Sequence, residues 1–384
     1  MDHVKITGDL VSIDTTVPPG RNYMQALDYL EPLFRQAGLE TERVNIPAGH
    51  SDGFEPRVNL LCHRRAPGKP RLIFYTHIDV VPAEGWDAFT PRIEQGKLYG
   101  RGAADMKRSI AGLLLGLEAA GEKPPEYDIS VMVTTDEEAG QPNQVRYLRQ
   151  RLEPVAGALF FSLDASSGYV GITNLGALHM DIRVSGRSVH SGLSHLGENA
   201  VEKASLLVQS LLKLKEDVVR RKSSVPVHPR TGLETMEPRL NINVIQGGLK
   251  VNIVPDQCLV SVDRRLIPEE DLEAARKELL DALNSVPGVR WEIEKTVAMP
   301  PVPPTTGPEI DRLASIIEEV TGDTGKFGEM GSGDLPHIVY NEWGGKEFGL
   351  GVIRSECNIH GVNEFVYLKD IEDLGRIIAR FLSG

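Results

Sequence analysis

Three short apolar runs constrain this chain more than anything else in it: RLIFYTHIDVV (71–81), YDISVMVTTDEEAG (127–140) and ALFFSLDASSG (158–168). Each is rich in β-forming residues, and the first is bounded by Pro70 and Pro82, so each reads as a strand buried in a sheet. VNLLCH (58–63) is a further run of this kind. Helical patterns lie around them. NYMQALDYLEPLFRQA (22–37) carries apolar residues at helical spacing and stops at Gly38, and GAADMKRSIAGLLLGLEAAG (102–121) is small and apolar enough to be buried. Strands alternating with helices predict an α/β fold with a mostly parallel sheet and helices on both faces.

The texture changes after Gly176. ALHMDIRVSG (177–186), RLNINVIQGG (239–248) and QCLVSVDRRLI (257–267) alternate as half-exposed strands do, and 198–218 and 268–286 read as amphipathic helices. This set predicts a smaller α+β domain over 177–295, inserted between two parts of the larger domain at 1–176 and 296–384. At 384 residues, two domains are expected on length alone. A proline-rich connector, MPPVPPTTGP (299–308), leads to a further helix at 309–322.

Acidic and histidine residues sit at the carboxyl ends of the predicted strands or in the loops after them, the edge where open α/β sheets bind ligands. His77 and Asp79 follow IFYT, Glu137 and Glu138 follow SVMVTT, and Asp164 follows ALFFSL; Asp105 heads a helix, and His360 lies near the end in IHGVNEF. Taken singly, each has a structural explanation: a strand histidine, a solvated Glu-Glu pair, a helix N-cap at Asp105, a turn residue at Asp164. Together they place acid after apolar strand repeatedly, which is costly unless positive charge compensates it, and a metal pair does so. A dinuclear site needs about three ligands per ion with one carboxylate often shared. His77, Asp105, Glu138, Asp164 and His360 supply that number if Asp105 bridges. Glu137 is left as a general base, and Asp79, two residues from His77, points to the same side and would orient its imidazole.

These segments also resemble a family. YTHIDVVP, GRGAADMK, TTDEEAG and IHGVNEF are similar, in order and spacing, to the signature segments of the M20 peptidases, which include acetylornithine deacetylase, succinyl-diaminopimelate desuccinylase, the carboxypeptidase G2 type and aminoacylases. The resemblance runs from LVSIDTTVPPG (10–20) to about residue 370. It implies the same five residues as ligands to two zinc ions, with cobalt able to substitute, Glu137 as base, and a cis Asp105–Met106 bond. At position 164 deacetylase and desuccinylase members often carry Glu. In the inserted domain, GRSVHSGLSHLGENAV resembles the segment that delivers a catalytic histidine, here His190, from the partner subunit of a dimer. Asn252 in VNIVPD and Arg265 in VDRRLIP resemble substrate-holding residues, and a guanidinium suits a substrate carboxylate. His195 reads as a surface residue. The activity implied is deacylation of an N-acyl amino acid or diamino acid, the alternative being a metallo-carboxypeptidase or dipeptidase. GEMGSGDLPHIVY (328–340) is expected to shape the pocket.

Other readings fit less well. The balance of 42 basic and 54 acidic residues, net −12, argues against nucleic-acid binding. No apolar run approaches the ~20 residues of a membrane span, and the first residues lack a secretory pattern. Three scattered cysteines suggest neither a disulfide framework nor a thiolate metal site, so the expected setting is cytoplasmic. GHSDG (49–53) fits a serine-nucleophile pattern without the strand-turn-helix context that pattern needs. GRGAAD (100–105) is only superficially like a nucleotide-binding turn.

Overall fold

The strand Arg71–His77 is buried at every residue, and its neighbours explain why it is apolar on both sides. Ile73 and Tyr75 join a layer with Met132, Leu148, Phe160 and Trp343. Phe74, on the alternate side, stacks on Phe161 with ring centroids 5.2 Å apart. A strand covered on both faces cannot alternate with polar residues, hence the unbroken run in the sequence.

The computed structural model describes residues 1–55, 57–121 and 124–383. Its larger sheet has eight strands in the order Glu40–Ile46, Arg57–Arg64, Asp128–Thr134, Arg71–His77, Leu159–Ser162, Lys346–Gly349, Val170–Asn174, Lys326–Glu329. The four strands from Asp128–Thr134 to Lys346–Gly349 pair in parallel, which is the parallel sheet expected. Antiparallel pairs flank this centre. Parallel pairing sends the carboxyl ends at His77, Thr134 and Ser162 to one edge, so the acidic segments after them converge there.

On one face the helix Lys107–Ala120 packs against Leu368–Leu382. Glycines permit the close approach: a Cβ on Gly116 would lie 2.5 Å from Ile378 and 3.1 Å from the Gly375 carbonyl oxygen. The helix expected from residue 102 begins only at Lys107. Residues 101–106 run as turns, and the Asp105–Met106 bond is cis.

The chain divides into two compact units, Met1–Ile172 with Thr305–Phe327 and Asp334–Gly384, and Thr173–Pro304 with Gly328–Gly333. Gly384, the last residue of the expected second catalytic part, lies outside the described residues. The smaller unit is an antiparallel sheet in the order Arg239–Gly247, Gln257–Leu266, Gly176–Ser185, Arg290–Met299. Met180, Ile182, Val260 and Val262 face Leu207, Leu211 and Leu279 of its helices Ala200–Val218 and Leu272–Asn284, and the alternate residues remain partly exposed. This unit reaches past the expected limit of 295 because Arg290–Met299 pairs with Gly176–Ser185 as far as Met299 with Ala177. The alternation in RWEIE was the available signal. Among the described residues no helix is long and apolar enough to cross a membrane.

Replacing Gly116 with Val should destabilise the protein by about 1–3 kcal/mol, because the helix pair has no room for the branch. Urea unfolding measures this, and unchanged stability would contradict the packing described.

Candidate active site

His77 ends its strand with a fully buried side chain, and its two ring nitrogens face different partners. Nδ1 lies 3.2 Å from the Asp79 carbonyl oxygen and 3.4 Å from Asp79 Oδ1. Nε2 lies 3.3 Å from Asp105 Oδ1, 3.8 Å from Asp164 Oδ2 and 4.0 Å from Glu137 Oε2. Asp79, also fully buried, accepts the backbone N–H of Glu138 at its other oxygen, 2.9 Å away, so one carboxylate joins the ends of two neighbouring strands. Across the cluster, His360 Nε2 lies 3.0 Å from Glu138 Oε2 and 3.3 Å from Asp105 Oδ2.

Asp105 therefore turns one oxygen to His77 and the other to His360. By shortest contact His77 faces Asp105 and Asp164, and His360 faces Asp105 and Glu138, while Glu137 lies slightly farther from His77. Ligand atoms of His77, Asp105 and Glu138 also lie within 4.8 Å of one another, as do those of His77, Glu137 and Asp164. We divide the cluster by its shortest contacts, in which His77 Nε2 lies nearer to Asp105 and Asp164 than to Glu137. Aspartate at 164 still reaches the cluster despite being one methylene shorter than Glu.

The electrostatics show what the cluster lacks. Burial pushes the Asp164 carboxyl up to about 8, helped by the charge of Asp105. Burial and the charges of Asp164, Glu138 and Asp105 hold Glu137 well above the usual carboxylate range, against the pull of His77. Glu138 is raised by burial and Asp105 although His360 bonds to it. For Asp105, burial acts upward but the neighbouring imidazoles of His360 and His77 outweigh it, leaving the group below its ordinary value. Burial lowers His77, yet Asp79 and Asp105 prevail and raise it. Hydrogen bonds to Asp105 and Glu138 push His360 up to about 10. Metal ions fit this donor set on a direct observation: His77 Nε2 and Asp105 Oδ1 are buried with no hydrogen-bond partner, an arrangement that costs free energy unless something is bound there. Imidazole and carboxylate donors without thiolate suit divalent cations.

The residues expected from the inserted segment lie in the smaller unit. His190, exposed on the short strand Val189–His190, accepts the Gly192 N–H at Nδ1 over 3.1 Å. The Asn252 carbonyl accepts from Ser191 N–H at 3.0 Å, which sets Asn252 beside His190. Arg265 Nε donates to Asp263 at 2.8 Å and Nη1 to Ser332 Oγ at 2.9 Å, so the segment at 328–340 does meet this arginine. His195 is exposed.

Sequence reading missed two buried groups behind the cluster. Asp136, at φ 65°, precedes Glu137 and accepts from Tyr23 Oη at 2.7 Å and from Arg57 Nε and Gln144 Nε2 at 2.8 Å. Its fully buried carboxylate faces an arginine side chain only 7 % exposed. Glu364 lies beneath the Asp105 turn, bonded to that turn's backbone. Both lie inside segments already singled out, TTDEEAG and IHGVNEF, but nothing in the sequence pairs Asp136 with Arg57.

Residues 73–384 match the profile described as peptidase family M20/M25/M40. The chain belongs to this family. It is 29% identical over 351 residues to the succinyl-diaminopimelate desuccinylase of Thioalkalivibrio sulfidiphilus, covering 87% of this chain and 88% of that one. It is also 29% identical over 375 residues to the enzyme of that name from Xanthobacter autotrophicus, covering 93% and 94%. Its fold is similar to that of an M20 family metallo-carboxypeptidase from Sulfolobus solfataricus, with a TM-score of 0.78 and 15% identity over 100% of this chain and 99% of the other. As a member of the M20/M25/M40 family, the chain is a metal-dependent hydrolase.

In this M20 enzyme stripped of metal, Glu137, Glu138, Asp164, His77 and His360 all bind protons more tightly folded than unfolded. Their stabilising effect is complete below the unfolded values and is lost as pH rises through the folded ones: from 3.8 to about 8 for Asp164 and from 6.5 to about 10 for His360. Asp105, shifted the other way, adds no slope above its ordinary 3.8. The melting temperature of the metal-free protein should therefore fall between about pH 5 and about pH 8, and Asp164→Asn should reduce the slope. Calorimetry showing a rise across that interval would contradict the electrostatic description.

Proposed function

We propose that this chain hydrolyses the amide bond of an N-acyl amino acid or diamino acid at a two-metal centre. The observation that carries the reading is Asp105 shared between two histidines, each also facing a second carboxylate, with one further carboxylate, Glu137, beside them. His77, Asp105 and Asp164 would hold one ion and His360, Asp105 and Glu138 the other, zinc or cobalt by donor type. When bound, the ions lower the pKa of a water and polarise the substrate carbonyl.

Glu137 takes a proton from the attacking water and returns it to the leaving nitrogen. Water's oxygen bonds to the carbonyl carbon, the C–N bond breaks, and a carboxylate and a free amine result. Asp79 keeps the His77 ring in place through Nδ1. His190 accepts at Nδ1, which leaves its proton on Nε2 to donate to the carbonyl oxygen as negative charge develops there. Arg265 keeps Nη2 for a substrate carboxylate while Asp263 and Ser332 hold the rest of its guanidinium. Asn252 offers an exposed amide next to His190.

Similarity to desuccinylases over most of the chain supports an acylated diamino acid as substrate. Assays on N-succinyl-diaminopimelate, N-acetylornithine and a dipeptide panel test this. The highest kcat/KM should fall on an N-acyl compound, and preference for dipeptides would replace deacylation by peptidase activity. Three free, buried cysteines support a cytoplasmic setting. Glu137→Gln should retain both metals and lose roughly 10²–10⁴-fold in kcat. Metal loss in that variant would instead make Glu137 a ligand.

The smaller unit is proposed as a lid that dimerises and presents His190 to the partner's metals. Its outer strand Arg239–Gly247 has an unpaired edge, and Val244, Ile245, Leu249 and Val251 are exposed on or just after it. A second copy covering that apolar edge removes both liabilities. Mixing His190→Ala with Glu137→Gln under subunit exchange should partly restore activity, since one hybrid site would hold both residues intact. No recovery despite demonstrated exchange would place His190 within its own chain's site or outside catalysis.

A further inference from the structure

Glu364 is fully buried, and both its oxygens are committed. Oε1 accepts the backbone N–H groups of Ala104 at 2.6 Å and Asp105 at 3.0 Å. Oε2 accepts Gly102 N–H at 3.2 Å and Arg101 Nη1 at 2.5 Å. One carboxylate thus gathers three amides of the turn that ends in Asp105, and Arg101 supplies the matching charge. That same guanidinium continues across: Nη2 donates to the His360 carbonyl at 3.0 Å. His360 needs such a tether, because it is a non-glycine residue at φ 60° in a loop where Asn358 and Asn363 are also left-handed.

From this arrangement we infer that Glu364, through Arg101, is a positioning residue that sets Asp105 and His360 at the separation the second metal ion requires. The inference rests on the two-metal reading above. It explains why GRGAAD and IHGVNEF, far apart in the chain, each carry one half of a buried ion pair beside a ligand. It also implies unequal effects on the two ions. The two sides share Asp105, but on the first the other ligands, His77 and Asp164, stand at the ends of central strands and are held by neither Glu364 nor Arg101. The His360–Glu138 side depends on a loop that Arg101 holds. Glutamine at 364 keeps the shape of the side chain but has one acceptor oxygen, so its NH₂ would confront either the Ala104 and Asp105 amides or Arg101 and the Gly102 amide. Asp105 would remain a ligand while its alignment with His360 is relaxed.

Cobalt titration of metal-free protein, followed by calorimetry and visible absorption, separates the possibilities. Wild type should bind two ions. Glu364→Gln, shown to be folded by circular dichroism, should bind the first nearly as wild type does and the second roughly 10–100-fold more weakly, the usual cost of removing a group that supports a ligand. Equal affinities in variant and wild type, or equal weakening of both ions, would overturn the inference; the latter is what a purely structural role produces. Should Glu364→Gln not fold, Arg101→Lys keeps a cation beside Glu364 but gives up the fork to His360. It should weaken the second ion selectively by about tenfold, and wild-type affinity for both ions in that variant overturns the inference. Fewer than two ions in wild type would remove the two-metal reading, and this inference with it.

Discussion

Four carboxylates meet in one largely buried cluster with two imidazoles, and much of the larger unit is arranged to make that possible. Asp105, Glu137, Glu138 and Asp164 repel one another, and their raised or contested protonation shows that two histidines do not settle the charge. An isolated polar peptide would move these groups apart. Here they are carried on the carboxyl ends of parallel strands whose spacing is fixed by the sheet and by aromatic packing on its faces. Packing free energy is thus used to hold an unfavourable charge arrangement, which divalent cations relieve.

The loops between strand and ligand need more than the sheet. Two buried ion pairs hold them: Arg57 with Asp136 under the Glu137–Glu138 turn, and Arg101 with Glu364 under the Asp105 turn. A buried pair is weak evidence for stability on its own, since desolvation offsets much of the attraction. Its value here is geometric, because each carboxylate also gathers several hydrogen-bond donors and fixes a turn. Lys107 adds a third anchor. Fully buried, it donates Nζ to the carbonyls of Leu10 and Ile13 and ties the first helix to the start of the helix after Asp105.

How much of this was legible in the sequence depends on whether the signal was local. Parallel central strands announce themselves by unbroken apolar runs, and the residues at their ends could be named: His77, Asp79, Glu137, Glu138 and Asp164 all converge in the fold. The edge strand Glu40–Ile46 is as long as the central ones but mixed in polarity, so periodicity passed over it. Arg290–Met299 was not named as a strand, because its alternation is short and its place in the sheet rests on pairing with Gly176–Ser185, more than a hundred residues away. Partners far apart in sequence were not legible at all. Arg57 and Asp136 are 79 residues apart and Arg101 and Glu364 are 263 apart, and single side chains leave no pattern over such distances. Asp105 and His360 were legible as members of motifs, but that Asp105 turns one oxygen to each histidine required coordinates.

Anomalous diffraction at the zinc edge, from crystals of the metal-loaded protein, tests the central claim most directly. Two peaks are predicted on either side of the Asp105 carboxylate, one bounded by His77 and Asp164 and the other by His360 and Glu138. A single peak, or peaks lying away from Asp105, would contradict the account.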